Sequence, residues 1–203
     1  MKDLIILTAD KNTDFLLRGL LPRIPTVEHL SPFSYDIFVH PLRDAGVYNN
    51  AHEFLRPFIE KYKYAIVVLD HEGCGRERHT RISLEEEIES RLANNGWANR
   101  VAVLVISPEI ENWVWVGEVH VQKIVNWNND QNIYDWLKSK GYMQHNSIKP
   151  DQPKEAFEFI LSETRTPRSS SLYQQIAKKA SYRQCRDSAF LKMIQTLQQW
   201  FAN

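Results

Sequence analysis

Four short runs of aliphatic and β-branched residues constrain the fold of this chain more than any other feature. They cover residues 4–8, 35–40, 64–70 and 101–106. Each run is nearly continuous in apolar residues instead of alternating with polar ones, a pattern typical of strands covered on both faces. We therefore predict an α/β fold with a roughly four-stranded parallel sheet flanked by helices.

The segments between these runs contain helix signals. The first helix is expected over residues 14–21, and the second is expected to start near Asn50, where Glu53 completes a pattern suited to a capping box. The third is expected to start at Ser83, which forms a Ser-x-x-Glu box with Glu86. These signals predict the order β-α-β-α-β-α-β.

After Pro108 the pattern is helical, with helices expected near residues 109–116, 131–140, 153–163, 169–180 and 188–201. No long low-complexity linker or internal repeat separates this region from the preceding one. We predict an α/β core over residues 1–117 and a helical extension over residues 118–203 that packs on the core.

Composition limits the classes of partner only weakly. The chain has 25 basic and 25 acidic residues, but residues 138–203 contain 11 Lys and Arg against 5 Asp and Glu, while residues 1–137 contain 14 against 20. An acidic front can hold a metal ion and a basic tail can contact phosphates, although exposed helical cations are also common on solvated faces.

Cysteine usage and hydropathy bear on location. The two cysteines, Cys74 and Cys185, are too few and too far apart in sequence to indicate a disulfide framework. No stretch approaches the ~18 apolar residues of a membrane span, and the apolar run at the start is too short for a signal peptide. We expect a cytoplasmic protein without membrane contact.

Acidic residues follow three of the four apolar runs. Asp10 follows the first, Asp70 and Glu72 end the third, and Glu109 and Glu111 follow the fourth. In parallel α/β sheets, ligands bind beyond the carboxyl ends of the strands. Carboxylates one residue apart can flank one Mg²⁺, which would neutralise phosphate charge and orient a water molecule. The alternative is that these acids are solvated turn or cap residues.

The loop after the third run has further candidates. Gly73 and Gly75 let the backbone turn close to a ligand, and Arg76 could meet phosphate oxygens. His71, Cys74 and His79 are three soft ligands, whereas structural zinc usually takes four, and a Cys74 nucleophile lacks a convincing base. The tryptophans are expected in the core.

Several blocks in order resemble a known family. They are ADKNTDFLLRGLL at residues 9–21, VVLDHEGCG at 67–75, PEIENWVW at 108–115, KPDQPKEA at 149–156 and TPRSSSLYQQIA at 166–177. Across nearly the whole chain the sequence resembles the small TOPRIM-like, OLD-nuclease-like bacterial proteins of the domain-of-unknown-function type, which include a component of methylation-associated phage-defence systems.

The resemblance implies a TOPRIM fold in which an acid after the first strand and an Asp-x-Asp-like pair after a later strand hold Mg²⁺. Asp10, Asp70 and Glu72 match these positions, with Asp10 in place of the usual Glu and Glu72 as the second member of the pair. Glu109 and Glu111 match an acidic segment before a Trp. The basic C-terminal blocks contribute phosphate or partner contacts, which are expected from Lys154, Arg168 and Lys178.

The acidic strand ends and the resemblance together predict nuclease-like activity that depends on Mg²⁺ or Mn²⁺, and the resemblance implies a component of a bacterial anti-phage system. Nucleic acid and other defence proteins are the expected partners. Asp70, Glu72 and Glu111 are the expected metal ligands, and Asp10 and Glu111 the expected catalytic residues. One alternative is a catalytically inactive TOPRIM-like scaffold or regulatory subunit, and another is a phosphate-ligand sensor that does not cleave.

Overall fold

The computed structural model describes residues 1–116 and 118–202, and its centre is one four-stranded parallel sheet. The strands are β1 (Lys2–Thr8), β2 (Tyr35–Val39), β3 (Tyr62–Asp70) and β4 (Val101–Ile106). They lie in the order β2-β1-β3-β4. The predicted α/β class and parallel sheet are confirmed, and both β1 and β3 begin two residues before the predicted start.

Successive residues of each strand point to opposite faces of the sheet, and both faces are covered. Ile6 and Ile66 enter one core, whereas Ile5 and Val67 enter the other. Burial on both faces explains why the strands read as continuous apolar runs in the sequence.

Helices connect the strands, and all three predicted helix starts are wrong. The connecting helices are α1 (Lys11–Leu20), α2 (Ile24–Glu28), α3 (Arg43–Leu55) and α4 (Arg81–Leu92). The helix α1 begins three residues before the predicted start, with Asp10 as its N-cap. The pair Asn50 and Glu53 lies inside α3, where the two side chains bond each other at 2.8 Å. The predicted box at Ser83 also lies within a helix, because the cap of α4 is Thr80, whose Oγ1 accepts a hydrogen bond from the Ser83 N–H.

The chain after β4 is helical. Its helices are α5 (Glu111–Val114), α6 (Glu118–Ile124), α7 (Ile133–Ser139), α8 (Pro153–Glu163), α9 (Ser170–Lys179) and α10 (Ser188–Phe201), of which α6 was not predicted. The predicted boundary between core and extension falls at Gly117 and the predicted extension ends at Asn203, and both residues lie outside the described ones. Within the described residues, no helix is long and apolar enough to cross a membrane.

Two helices of this second part pack directly on the sheet and its first helix. The helix α9 packs along α1, and α10 packs against β4. At the outer edge of β4, the N–H groups of Val103 and Val105 donate to the carboxylates of Glu89 and Glu85 on α4. Lys192 Nζ of α10 donates to both carboxylates, at 3.0 Å from Glu85 Oε2 and 2.7 Å from Glu89 Oε1. Side chains of α4 therefore satisfy the Val103 and Val105 donors on the exposed edge of this strand.

The strand order reverses direction between β1 and β3, so that the connections leaving their carboxyl ends run to opposite sides. From β1 the chain passes through α1 to β2 on one side, and then returns through α3 to β3 on the other side. Such a reversal is a topological switch point, where open α/β sheets bind their ligands. Asp10 lies two residues after the end of β1, and Asp70 is the last residue of β3.

Candidate functional site

The carboxylates of Asp10 and Asp70 lie at this switch point because Asp10 follows β1 and Asp70 ends the adjacent strand β3. Asp10 is the N-cap of α1, and its Oδ1 accepts a hydrogen bond of 2.8 Å from the Thr13 N–H. Asp70 retains some exposure as a residue, but its Oδ1 is buried and has no hydrogen-bond partner among the described residues. A buried, unpartnered carboxylate oxygen is costly, since burial removes its water without replacing the bond.

A third carboxylate at this point, Asp44, was not predicted. It lies in the first turn of α3, and its Oδ1 accepts a hydrogen bond of 2.8 Å from the Asp70 N–H. Burial raises the pKa of Asp44, and the charge of Asp10 raises it further. Asp44 therefore belongs to the same group of acids as the two strand-end residues.

Glu109 and Glu111 complete the group, which we call the acidic cluster and which consists of Asp10, Asp44, Asp70, Glu109 and Glu111. Glu109 and Glu111 follow β4 and are both buried. Lys154 Nζ lies 2.9 Å from Glu109 Oε2, and the Tyr173 hydroxyl donates a hydrogen bond of 2.5 Å to Glu111 Oε1. Burial raises the pKa of both glutamates.

Electrostatic coupling is strongest at Asp70. Burial raises its pKa well above the ordinary value, and the charges of all four other members of the acidic cluster raise it further. A carboxyl pKa that is strongly raised by burial and by specific neighbouring charges is a recognised sign of a functional site. In the absence of a cation, this cluster favours uptake of protons.

The predicted ligand Glu72 and the predicted phosphate contact Arg76 lie at the rim. Glu72 is exposed, and its charge contributes to raising the pKa of Glu109. Arg76 is also exposed, and its guanidinium carbon lies 5.5 Å from the centre of the Tyr48 ring. The structure thus places Glu72 beside the buried acids, not among them.

Two of the three predicted C-terminal cations border the acidic cluster. Lys154 bonds Glu109, and Arg168 Nη2 lies 3.8 Å from Glu111 Oε1 while the same guanidinium pairs with Glu158. The third cation, Lys178, lies in the last turn of α9. It is about 12 Å along the helix from Ser170, the first residue of α9. The helical extension therefore contributes cations and the Tyr173 hydroxyl to a site whose acids come from the first part of the chain.

The soft-ligand alternative finds little support in the surroundings of Cys74. This cysteine is buried at 1% exposure in the core beneath the loop, and burial raises the pKa of its thiol. Zinc binding and nucleophilic attack both need the thiolate, which apolar burial disfavours. The Nε2 atom of His71 lies 2.8 Å from the His79 carbonyl oxygen.

The carboxylates of the described residues do not form a closed cage for a metal ion. Among residues 1–116 and 118–202, no group of three or more His, Cys, Asp or Glu side chains is placed to hold one metal ion. Mg²⁺ is usually bound by one or two carboxylates and keeps several waters or phosphate oxygens. The unpartnered oxygen of Asp70, with Asp44 and Asp10 beside it, provides hard oxygen donors of that kind.

Comparisons of the chain with protein-family models, curated proteins and solved structures found no match.

Proposed function

We propose that the acidic cluster binds Mg²⁺ or Mn²⁺ and that the protein hydrolyses phosphodiester bonds of nucleic acid in a TOPRIM-like manner. The observation that carries this proposal is the buried, unpartnered Oδ1 of Asp70 beside four further carboxylates. A divalent cation would compensate these negative charges, and it would supply charge neutralisation at phosphate and a more acidic bound water.

The roles of the residues follow from their positions. Asp70, with Asp44 or Asp10, would hold the cation, and the exposed carboxylate of Glu72 would face its solvent side. Glu111, oriented by Tyr173, is the remaining candidate ligand or proton acceptor. The side chains of Lys154 and Arg168 at the rim are about two-fifths exposed and can contact substrate phosphates.

The resemblance described above extends this proposal to a cytoplasmic component of bacterial anti-phage defence that works with partner proteins.

A non-catalytic, TOPRIM-like scaffold or regulatory subunit is the second candidate. It is favoured by the contacts of Lys154 with Glu109 and of Arg168 and Tyr173 with Glu111. These groups compensate two of the carboxylates without any metal ion. In this case the acidic cluster would stabilise the junction between sheet and helical extension.

A cleavage assay separates the two candidates. Labelled single-stranded DNA, double-stranded DNA and RNA are incubated with the purified chain in Mg²⁺ or Mn²⁺, and in EDTA. We expect cleavage that requires the metal and falls at least about tenfold in Asp44→Asn, since that change removes one charge from a preorganised site.

The matched control is Asp130→Asn, which removes the same charge from an exposed loop position and should leave the rate unchanged. Equal cleavage by wild type and Asp44→Asn would indicate that the acidic cluster is not the site. Failure of the folded wild type to cleave any substrate would favour the non-catalytic candidate.

A further inference from the structure

The loop between β3 and α4 folds around one of its own carboxylates. The backbone N–H groups of Gly73 and Gly75 both donate to Oε1 of Glu77, each at 3.1 Å. Both glycines have positive φ values, +85° and +78°, which a side chain would strain. Backbone N–H groups that converge on one oxygen form an anion-binding concavity of the kind that holds phosphate groups in glycine-rich loops. In this protein an internal anion fills it.

The bound carboxylate can leave easily. Glu77 is exposed, and the backbone hydrogen bonds lower its pKa, so that the carboxylate is charged at neutral pH. An exposed side chain bound in this way is in competition with water and with other anions. A Cβ built on Gly75 would have no atom within 4 Å, so there is open space beside the N–H groups for a larger anion.

The concavity is next to the acidic cluster. A Cβ built on Gly73 would lie 3.8 Å from Asp44 Oδ2, and the preceding N–H, that of Glu72, is fixed to the Pro108 carbonyl oxygen at 3.0 Å. Arg76 and Arg78 of the same loop are exposed. An anion in the concavity would therefore lie beside the carboxylates proposed to hold the cation, in a loop that also carries two exposed arginines.

We propose that the N–H groups of Gly73 and Gly75 bind a phosphate group of the nucleic-acid substrate, and that Glu77 occupies this phosphate site in the free protein as an internal competitor. The inference rests on the proposed function, because the phosphate bound here would neighbour the one at the cation. Its consequence is that Glu77 weakens substrate binding until a phosphate displaces it.

The competition can be measured with inorganic phosphate as the probe. Phosphate is titrated calorimetrically into wild type, Glu77→Ala, Glu77→Gln and Glu86→Ala, in EDTA and without divalent cations. Glu86 is an exposed glutamate of α4, so its removal controls for the change in net charge. We expect Glu77→Ala to bind phosphate at least about tenfold more tightly than wild type, Glu77→Gln to lie between them, and Glu86→Ala to match wild type.

A second variant tests the site itself. Adding Gly73→Ala and Gly75→Ala to Glu77→Ala should abolish the gain, since alanine disfavours the positive φ values that direct these N–H groups. Circular dichroism of each variant monitors folding. The inference is overturned if Glu77→Ala binds phosphate no better than Glu86→Ala, or if the glycine substitutions leave its gain intact. Because no divalent cation is present, either failure leaves the cation site untouched and is distinct from a failure of the proposed function.

Discussion

Replacing Gly19 with valine is expected to destroy the packing of α9 against α1 and to lower the free energy of unfolding by about 3 kcal/mol or more. A Cβ at this position would lie 2.5 Å from the Gln174 carbonyl oxygen and 2.9 Å from the Ala177 Cβ. A backbone oxygen cannot move aside without moving α9. The same helix contains Tyr173, so the damage should extend to the acidic cluster.

The alanine variant gives a sharper test, because two effects have opposite signs. In an exposed helix interior, Gly→Ala stabilises by about 1 kcal/mol. At Gly19 the clash should prevail, and we expect Gly19→Ala to be destabilised by about 1–3 kcal/mol in urea unfolding followed by circular dichroism. Lys11→Ala, at an exposed position of α1, is the control and should differ little from wild type. A Gly19→Ala protein as stable as wild type would contradict the close helix contact.

Replacing Asp70 with asparagine is expected to stabilise the metal-free protein at pH 8 by about 1–3 kcal/mol, the usual cost of a buried polar group left without a hydrogen-bond partner. The pKa of Asp70 is raised in the folded state by burial and by the neighbouring carboxylates. The folded state therefore binds the proton more tightly than the unfolded one. This contribution to stability is complete below the ordinary carboxyl pKa of about 4 and is lost as the pH rises through the raised value.

The gain in Asp70→Asn should therefore be small near pH 4 and grow with pH. Saturating Mg²⁺ should stabilise the wild type but not the variant, because only the wild type retains the central carboxylate. Thermal unfolding between pH 4 and 8, with and without Mg²⁺, measures both effects, and Asp130→Asn is the control. Parallel pH profiles for wild type and Asp70→Asn would show that the buried charge has no such cost.

The sequence was sufficient to predict the sheet because burial on both faces produces continuous apolar runs that stand out from the helices. The sequence also predicted that Asp10, Asp70, Glu109 and Glu111 lie near one another. The carboxyl ends of parallel strands lie along the same edge of a sheet, whatever the lengths of the connections. The acidic front and basic tail of the chain meet at this site, where Lys154 pairs with Glu109.

The remaining site residues depend on packing that leaves no local pattern. Asp44 lies 26 residues before Asp70 and reaches it because α3 crosses back over the sheet from β2, which no spacing rule indicates. In the sequence, Tyr173 has the spacing of an ordinary core residue of an amphipathic helix. Only the structure shows that its hydroxyl donates a hydrogen bond to Glu111. The start of α3 was missed because Pro41 and Gly46 interrupt the helical pattern before Asn50.

The proposed activity requires that the acidic cluster binds a divalent cation through Asp70. Calorimetric titration of Mn²⁺ and Mg²⁺ into wild type, Asp70→Asn and Asp130→Asn tests it directly. We expect saturable uptake of about one ion per chain by wild type and by Asp130→Asn, and none by Asp70→Asn although it is folded. Absence of binding by the folded wild type, or equal binding by Asp70→Asn, would contradict the claim.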